Sequence, residues 1–162
     1  MNENSEAERH FLRHVLATLA YRGGKALRDA PPSFASFKAG ETSRTPLEIL
    51  VHVGDLFDWA CFLATGQNTR RNVPPGSWDE EVARFFAGLQ RLDAALASNA
   101  VRDVPAERLF QGPIADALTH VGQLAMLRRM AGAPVKGENY FEAEIQAGRV
   151  GPEQSQAQSE FD

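Results

Sequence analysis

The sequence predicts an all-α protein built as a four-helix bundle. Three observations carry that expectation. Residues 5–28, 46–65, 77–98 and 113–131 repeat apolar side chains three and four positions apart, the spacing of one helical face. These stretches are bounded by residues that start or stop helices. No stretch alternates apolar and polar residues over more than a few positions, as a half-buried strand would. A chain of 162 residues suits one domain able to bury a sizeable core. The domain is read as residues 1–150, followed by a polar tail over 151–162.

The first helix is expected over 5–28, with Ser5 and Glu8 spaced as a capping box. Phe11, Leu12, Val15, Leu16 and Leu19 would face inward, and Gly23 and Gly24 would weaken or kink the last turns. Pro31, Pro32 and Gly40 make 30–44 a loop, which Phe34 and Phe37 pin to the core. The second helix has the clearest start. Thr45 caps it, Pro46 takes the first position and Glu48 completes the box, while Gly66 ends it. Its inward face is Ile49, Leu50, Val53, Leu56, Phe57, Ala60 and Leu63. After a loop over 67–76, Ser77 and Glu80 form another capping box. The third helix then carries Val82, Phe85, Phe86, Leu89, Leu92 and Leu96 inward. A short helical turn over 105–110 leads to the fourth long helix, bounded by Gly112-Pro113 and by Gly132 and Pro134. Residues 140–147 could form one more short helix. The segment 151–162, GPEQSQAQSEFD, is nearly free of apolar residues and reads as loose. The long loop between the first two helices allows a connection that is not simply up and down.

Composition excludes several function classes. With 43% hydrophobic and 23% charged residues the chain is an ordinary globule. A net charge of -4, with basic residues doubled only at Arg70-Arg71 and Arg128-Arg129, argues against nucleic acid as a partner. The single cysteine, Cys61, permits no internal disulfide and suits a reducing compartment; it shares a face with Phe57 and Leu50 and reads as a small core residue. The polar, acidic N-terminus is no secretory signal. No apolar run approaches the roughly 20 residues that span a bilayer. The expected location is cytoplasmic, with no membrane partner.

Chemistry concentrates on the fourth helix. Asp116, His120 and Gln123 share one side at i, i+4 and i+7, beside an apolar stripe of Ile114, Leu118, Val121, Leu124 and Ala125. A carboxylate and an imidazole one turn apart can hold one metal ion, and His52 on the second helix is the natural third ligand. Two imidazoles and a carboxylate leave positions open for water or substrate, and suit zinc, nickel, iron(II) or manganese. Glu48, Asp55, Asp58 and Gln123 are candidates to orient the imidazoles. Tyr21, Arg22, Trp59 and Tyr140 could line a pocket, although ordinary packing explains them as well. The plainer readings are that Asp116 answers the helix dipole in a first turn and that His52 bonds Glu48 or Asp55. His10 and His14 form a rival pair four apart on the first helix.

TPLEILVHVGDLFDWA and the later THVGQLAMLRRMAGAPV together resemble the DinB/YfiT-like superfamily of metal-dependent bacterial proteins, over roughly residues 8–151. The resemblance implies an up-down-down-up four-helix bundle, commonly dimeric, so a homodimer is expected. It also implies a divalent metal held by three histidines, one on the second helix and two in an H-x-x-x-H pair. Residue by residue these fall on His52, Asp116 and His120. Asp116 departs from the pattern: it can ligate in place of histidine, favour a harder metal, or mark an empty site. The activities implied are thiol transfer with a low-molecular-weight thiol, maleylpyruvate isomerisation and hydrolysis. The expected function is therefore a metal-dependent small-molecule enzyme, a thiol-dependent S-transferase or hydrolase. The alternative is a catalytically inactive bundle serving as a binding or dimerisation module.

Overall fold

Two of the long helices start where the sequence supplies acceptors for their first N–H groups. At Pro46–Thr65 (α2) the Thr45 hydroxyl accepts from the Glu48 N–H at 3.2 Å, and the Glu48 carboxylate accepts from the Thr45 N–H at 2.7 Å. Ser77 and Glu80 repeat this exchange at the head of Trp78–Ala97 (α3). Gly66 closes α2 at φ 77°, a left-handed conformation that costs glycine little.

These elements belong to a computed structural model, which describes residues 3–98, 102 and 104–161. The chain is all-α apart from one two-stranded ladder. Helix α1 spans Glu3–Leu27, so Ser5 lies inside it rather than at its cap. A 3₁₀ turn, Pro32–Ser36, interrupts the loop that follows. After α3 come Ala106–Leu109 (α4), a π turn at Phe110–Ile114, and Ala115–Met130 (α5). The long helices make a closed ring of neighbours: α1 packs on α3, α3 on α2, α2 on α5 and α5 on α1.

The core runs down the middle of that ring. Leu16, Leu19, Leu50, Phe57, Phe85, Leu89, Leu92, Ile114 and Leu124 are fully buried. Phe11 departs from its expected inward position and is 61% exposed, while Leu12 on the next position is buried. Gly23 and Gly24 do not break α1. A Cβ on Gly23 would collide with the Phe85 ring, and one on Gly88 would stand 2.9 Å from the Phe57 Cβ. Both glycines are therefore points of close helix–helix approach. Phe34 is buried as expected, edge-on to Trp78 at 5.4 Å. Arg128 reaches the end of α1 from α5 and donates to the Ala26 and Arg28 carbonyls at 3.2 and 2.9 Å, satisfying acceptors that the helix end leaves open.

Residues 140–147 form turns, not the expected helix. Asn139 binds the start of this segment through both of its oxygens, accepting from the Phe141 and Glu142 N–H groups, and such local bonds compete with a helix. Phe141 is 97% exposed and only Ile145 packs against the core, so a helix here would bury almost no face. The tail is tied down rather than loose. Glu160–Phe161 (β2) pairs antiparallel with Gly137–Glu138 (β1), and Lys25 bonds Glu138 and Glu160 at 2.8 Å each. Asp162, the last residue of the expected tail, lies outside the described residues.

Candidate metal centre

The site forms at the seam between α2 and α5. His52 lies in the second turn of α2, and its Nε2 stands 3.3 Å from Oδ2 of Asp116. The other oxygen of that carboxylate, Oδ1, is 3.1 Å from Nδ1 of His120. The two imidazoles meet edge to face, with centroids 4.7 Å apart. One ligand atom from each of the three residues lies within 4.8 Å of the others, and this is the one such group among the described residues. The three predicted ligands come from α2 and α5, with His52 and Asp116 64 positions apart, and are thus brought together.

The approach to α5 explains why its face is aimed this way. Proline at 113 has no N–H to give and cannot continue an α turn. The backbone answers with a kink: Gly112 leaves helical geometry at ψ -108°, and the Ala115 N–H reaches back to the Gly112 and Phe110 carbonyls. The kink lets Leu109 and Ile114, five apart, both face the core. The stripe Ala117, Val121 and Leu124 then continues inward, and Asp116 and His120 fall on the flank facing α2. The expected helix start at Gly112-Pro113 is therefore a break in the chain's helical path, with Gly112 non-helical and Pro113 opening the run that continues as α5. Asp116 lies in the first turn after that break, so its charge also answers the helix dipole.

Graded exposure suits a ligand site. The side chain of His120 is 12% exposed, against 35% for His52 and 44% for Asp116. One wall is fixed and the other open to solvent. The Asp116 carbonyl accepts from His120 Nδ1 at 2.8 Å. A carbonyl only accepts, so this bond puts the proton on Nδ1 and the free lone pair on Nε2. Donor chemistry fits a divalent cation: two imidazole nitrogens and a carboxylate are borderline ligands found with zinc and its neighbours. Ligands about 2.1 Å from a shared ion stand roughly 3–4 Å apart, close to the 4.8 Å within which the three donors lie.

The residues proposed to orient the imidazoles are engaged elsewhere. Glu48 is spent on its capping box, and Gln123 is exposed. Asp55 and Asp58 accept from Arg84 at 2.6 and 2.7 Å, and Arg91 adds a bond to Asp58 at 2.7 Å. The orienting partner is instead the backbone of Asp116 itself. His10 and His14 are both exposed and recruit no third ligand among the described residues. Tyr21, Arg22 and Tyr140 cluster at α1, with the Arg22 guanidinium 4.3 Å over the Tyr140 ring. Trp59 is apart from them, its ring edge over Gly112. Cys61 is buried, and burial pushes its thiol up from its ordinary value, so it is a core residue rather than a nucleophile.

Compared with family models, curated proteins and solved structures, the chain matches none. Among the described residues no helix is long and apolar enough to cross a membrane.

Proposed function

We propose that this chain is a metal-dependent small-molecule enzyme of the DinB-like type, a thiol-dependent S-transferase or a hydrolase, using His52, Asp116 and His120 as ligands. The observation that carries the reading is the convergence of these three donors, from two helices, within 4.8 Å. The ring of contacts among α1, α3, α2 and α5 supports a four-helix bundle, the architecture that resemblance implies. When bound, a zinc, nickel, iron(II) or manganese ion would act as a Lewis acid toward an oxygen or sulfur ligand. The chain's own residues do the rest. His120 presents its Nε2 lone pair because the Asp116 carbonyl holds the proton on Nδ1. Asp116 contributes a negative charge that offsets the cation, which three neutral imidazoles would not. His52 and Asp116, on the open side, leave the approach free for a small substrate. We read the protein as cytoplasmic, in keeping with its single buried thiol, and as a homodimer. The exposed Met126 and Met130, one turn apart on α5, support a helical dimer face.

Elemental analysis of untagged protein purified without chelator tests the proposal, beside His52→Ala. Near one equivalent of metal, lost in the variant, is the expected result. Absence of metal after titration with each of the four ions would overturn it and leave the binding or dimerisation module as the reading.

A further inference from the structure

A pocket of about 460 Å³ opens along α2, beyond His52. Leu56, Trp59 and Phe62 form its apolar wall, and Asn68 and Arg70 come from the loop that folds back after Gly66. Its volume falls among small-molecule sites, which run about 300–1,000 Å³. Trp59 and Phe62 are 48% and 44% exposed, two large aromatics left uncovered side by side.

The charge around them is selective. Asp55 and Asp58 border the pocket, yet both carboxylates are neutralised by Arg84, with Arg91 also on Asp58. Arg70 differs. Its backbone N–H is fixed by the Asn68 side chain at 3.0 Å, but its guanidinium has no acidic partner among the described residues. The pocket therefore offers two half-exposed aromatic side chains and one carboxylate-matching cation with no acidic partner among the described residues.

We propose that this pocket binds a planar aromatic carboxylate, the ring against Trp59 and Phe62 and the carboxylate on Arg70. As the substrate pocket of the centre at His52 it rests on the proposed metal reading; as a binding site it does not. Asp55, at the pocket rim, lies one helical turn from His52, a rise of about 4.5 Å. A substituent directed toward the start of α2 would reach the three donors.

The test is calorimetric titration with 2-naphthoate and with its neutral analogue 2-naphthylmethanol. Naphthoate is expected to bind about tenfold tighter than the alcohol, the worth of one charge-assisted bond. Arg70→Gln should erase that preference and leave alcohol binding unchanged, and Trp59→Ala should weaken both probes. Equal binding of the two probes, or naphthoate binding indifferent to both substitutions, would overturn the pocket. In His52→Ala, naphthoate binding should persist although metal is lost, so a failed metal site and a failed pocket give different results. With manganese added, naphthoate proton resonances should broaden in the parent protein and not in His52→Ala. Binding without that broadening, in protein shown to hold manganese, would overturn the link between pocket and centre.

Discussion

The Nδ1 of His120 lies 2.8 Å from the carbonyl oxygen of Asp116, one turn earlier on the same helix. This bond gives Asp116 two separate tasks. Its backbone sets the tautomer of one imidazole, while its carboxylate lies between both, at 3.1 Å from His120 and 3.3 Å from His52. Substitution at this position changes the carboxylate and leaves the orienting carbonyl in place. Asp116 can therefore be varied as a ligand without releasing His120.

Asp116→His is expected to change which metal is preferred rather than whether one binds. Replacing a hard oxygen donor with imidazole should tighten nickel and zinc and loosen manganese. The carboxylate is 44% exposed, so the melting temperature of the metal-stripped protein should hardly move. Competitive titration with a metallochromic chelator reads the ranking. An unchanged order of affinities would mean that Asp116 is not a ligand.

Helix contacts make a second prediction. Gly23 faces the Phe85 ring where any Cβ would collide. Alanine favours helix by up to about 1 kcal/mol, whereas overpacking a well-filled contact costs about 1–3 kcal/mol. Gly23→Ala should therefore be net destabilising, seen as a lower urea midpoint. Stabilisation instead would show that α1 and α3 part easily at this point.

The charged network between α2 and α3 governs acid stability. Glu81 and Asp58 are 1% and 2% exposed, and Arg84 bonds both. Arg84→Met would leave two buried carboxylates with fewer partners, at a cost of about 3 kcal/mol. Burial alone would raise the Glu81 carboxyl, but the Gly76 N–H and Arg71 hold it below the usual carboxylate range. A lowered carboxyl stabilises the fold above its unfolded value, near about 4.3, and that contribution disappears as pH falls through the folded value. Unfolding free energy from urea melts should drop below about pH 4.3, and Glu81→Gln should flatten the drop. An equally steep loss in Glu81→Gln would assign it to other groups.

What could be read from the sequence was mostly local. The Thr45 and Ser77 boxes are three-residue patterns and behave as such in the structure. The apolar repeats located the core because burial follows helical spacing, with Phe11 as the exception. His52, Asp116 and His120 were legible as candidates from the spacing on α5 and the imidazole on α2, but spacing within α5 cannot say that α2 lies against it. The Arg84 network went unseen because its Asp55 and Asp58 carboxylates lie 29 and 26 positions away, on another helix. Residues 140–147 were misread because helical propensity there has no face to bury. The tail was misread because its tie, through Lys25, comes from the far end of the chain.

Glu138 shows what that tie contributes. Its side chain is fully enclosed, accepting from the Tyr21 hydroxyl at 2.7 Å and from Lys25 at 2.8 Å. Burial first, and then this bond to Glu138, push the Tyr21 hydroxyl well above its ordinary value. A raised group gives stability that is complete below its unfolded pKa, near about 10, and is lost as pH rises toward the folded value. Tyr21→Phe should cost about 1.5–3 kcal/mol at neutral pH, the worth of a bond to a charged acceptor. It should also remove part of the alkaline destabilisation above about pH 10. Urea melts from pH 7 to 11 on both proteins read the two effects together. If the parent loses stability above pH 10 no faster than Tyr21→Phe, the hydroxyl does not hold β1 to α1, and that link falls to Lys25.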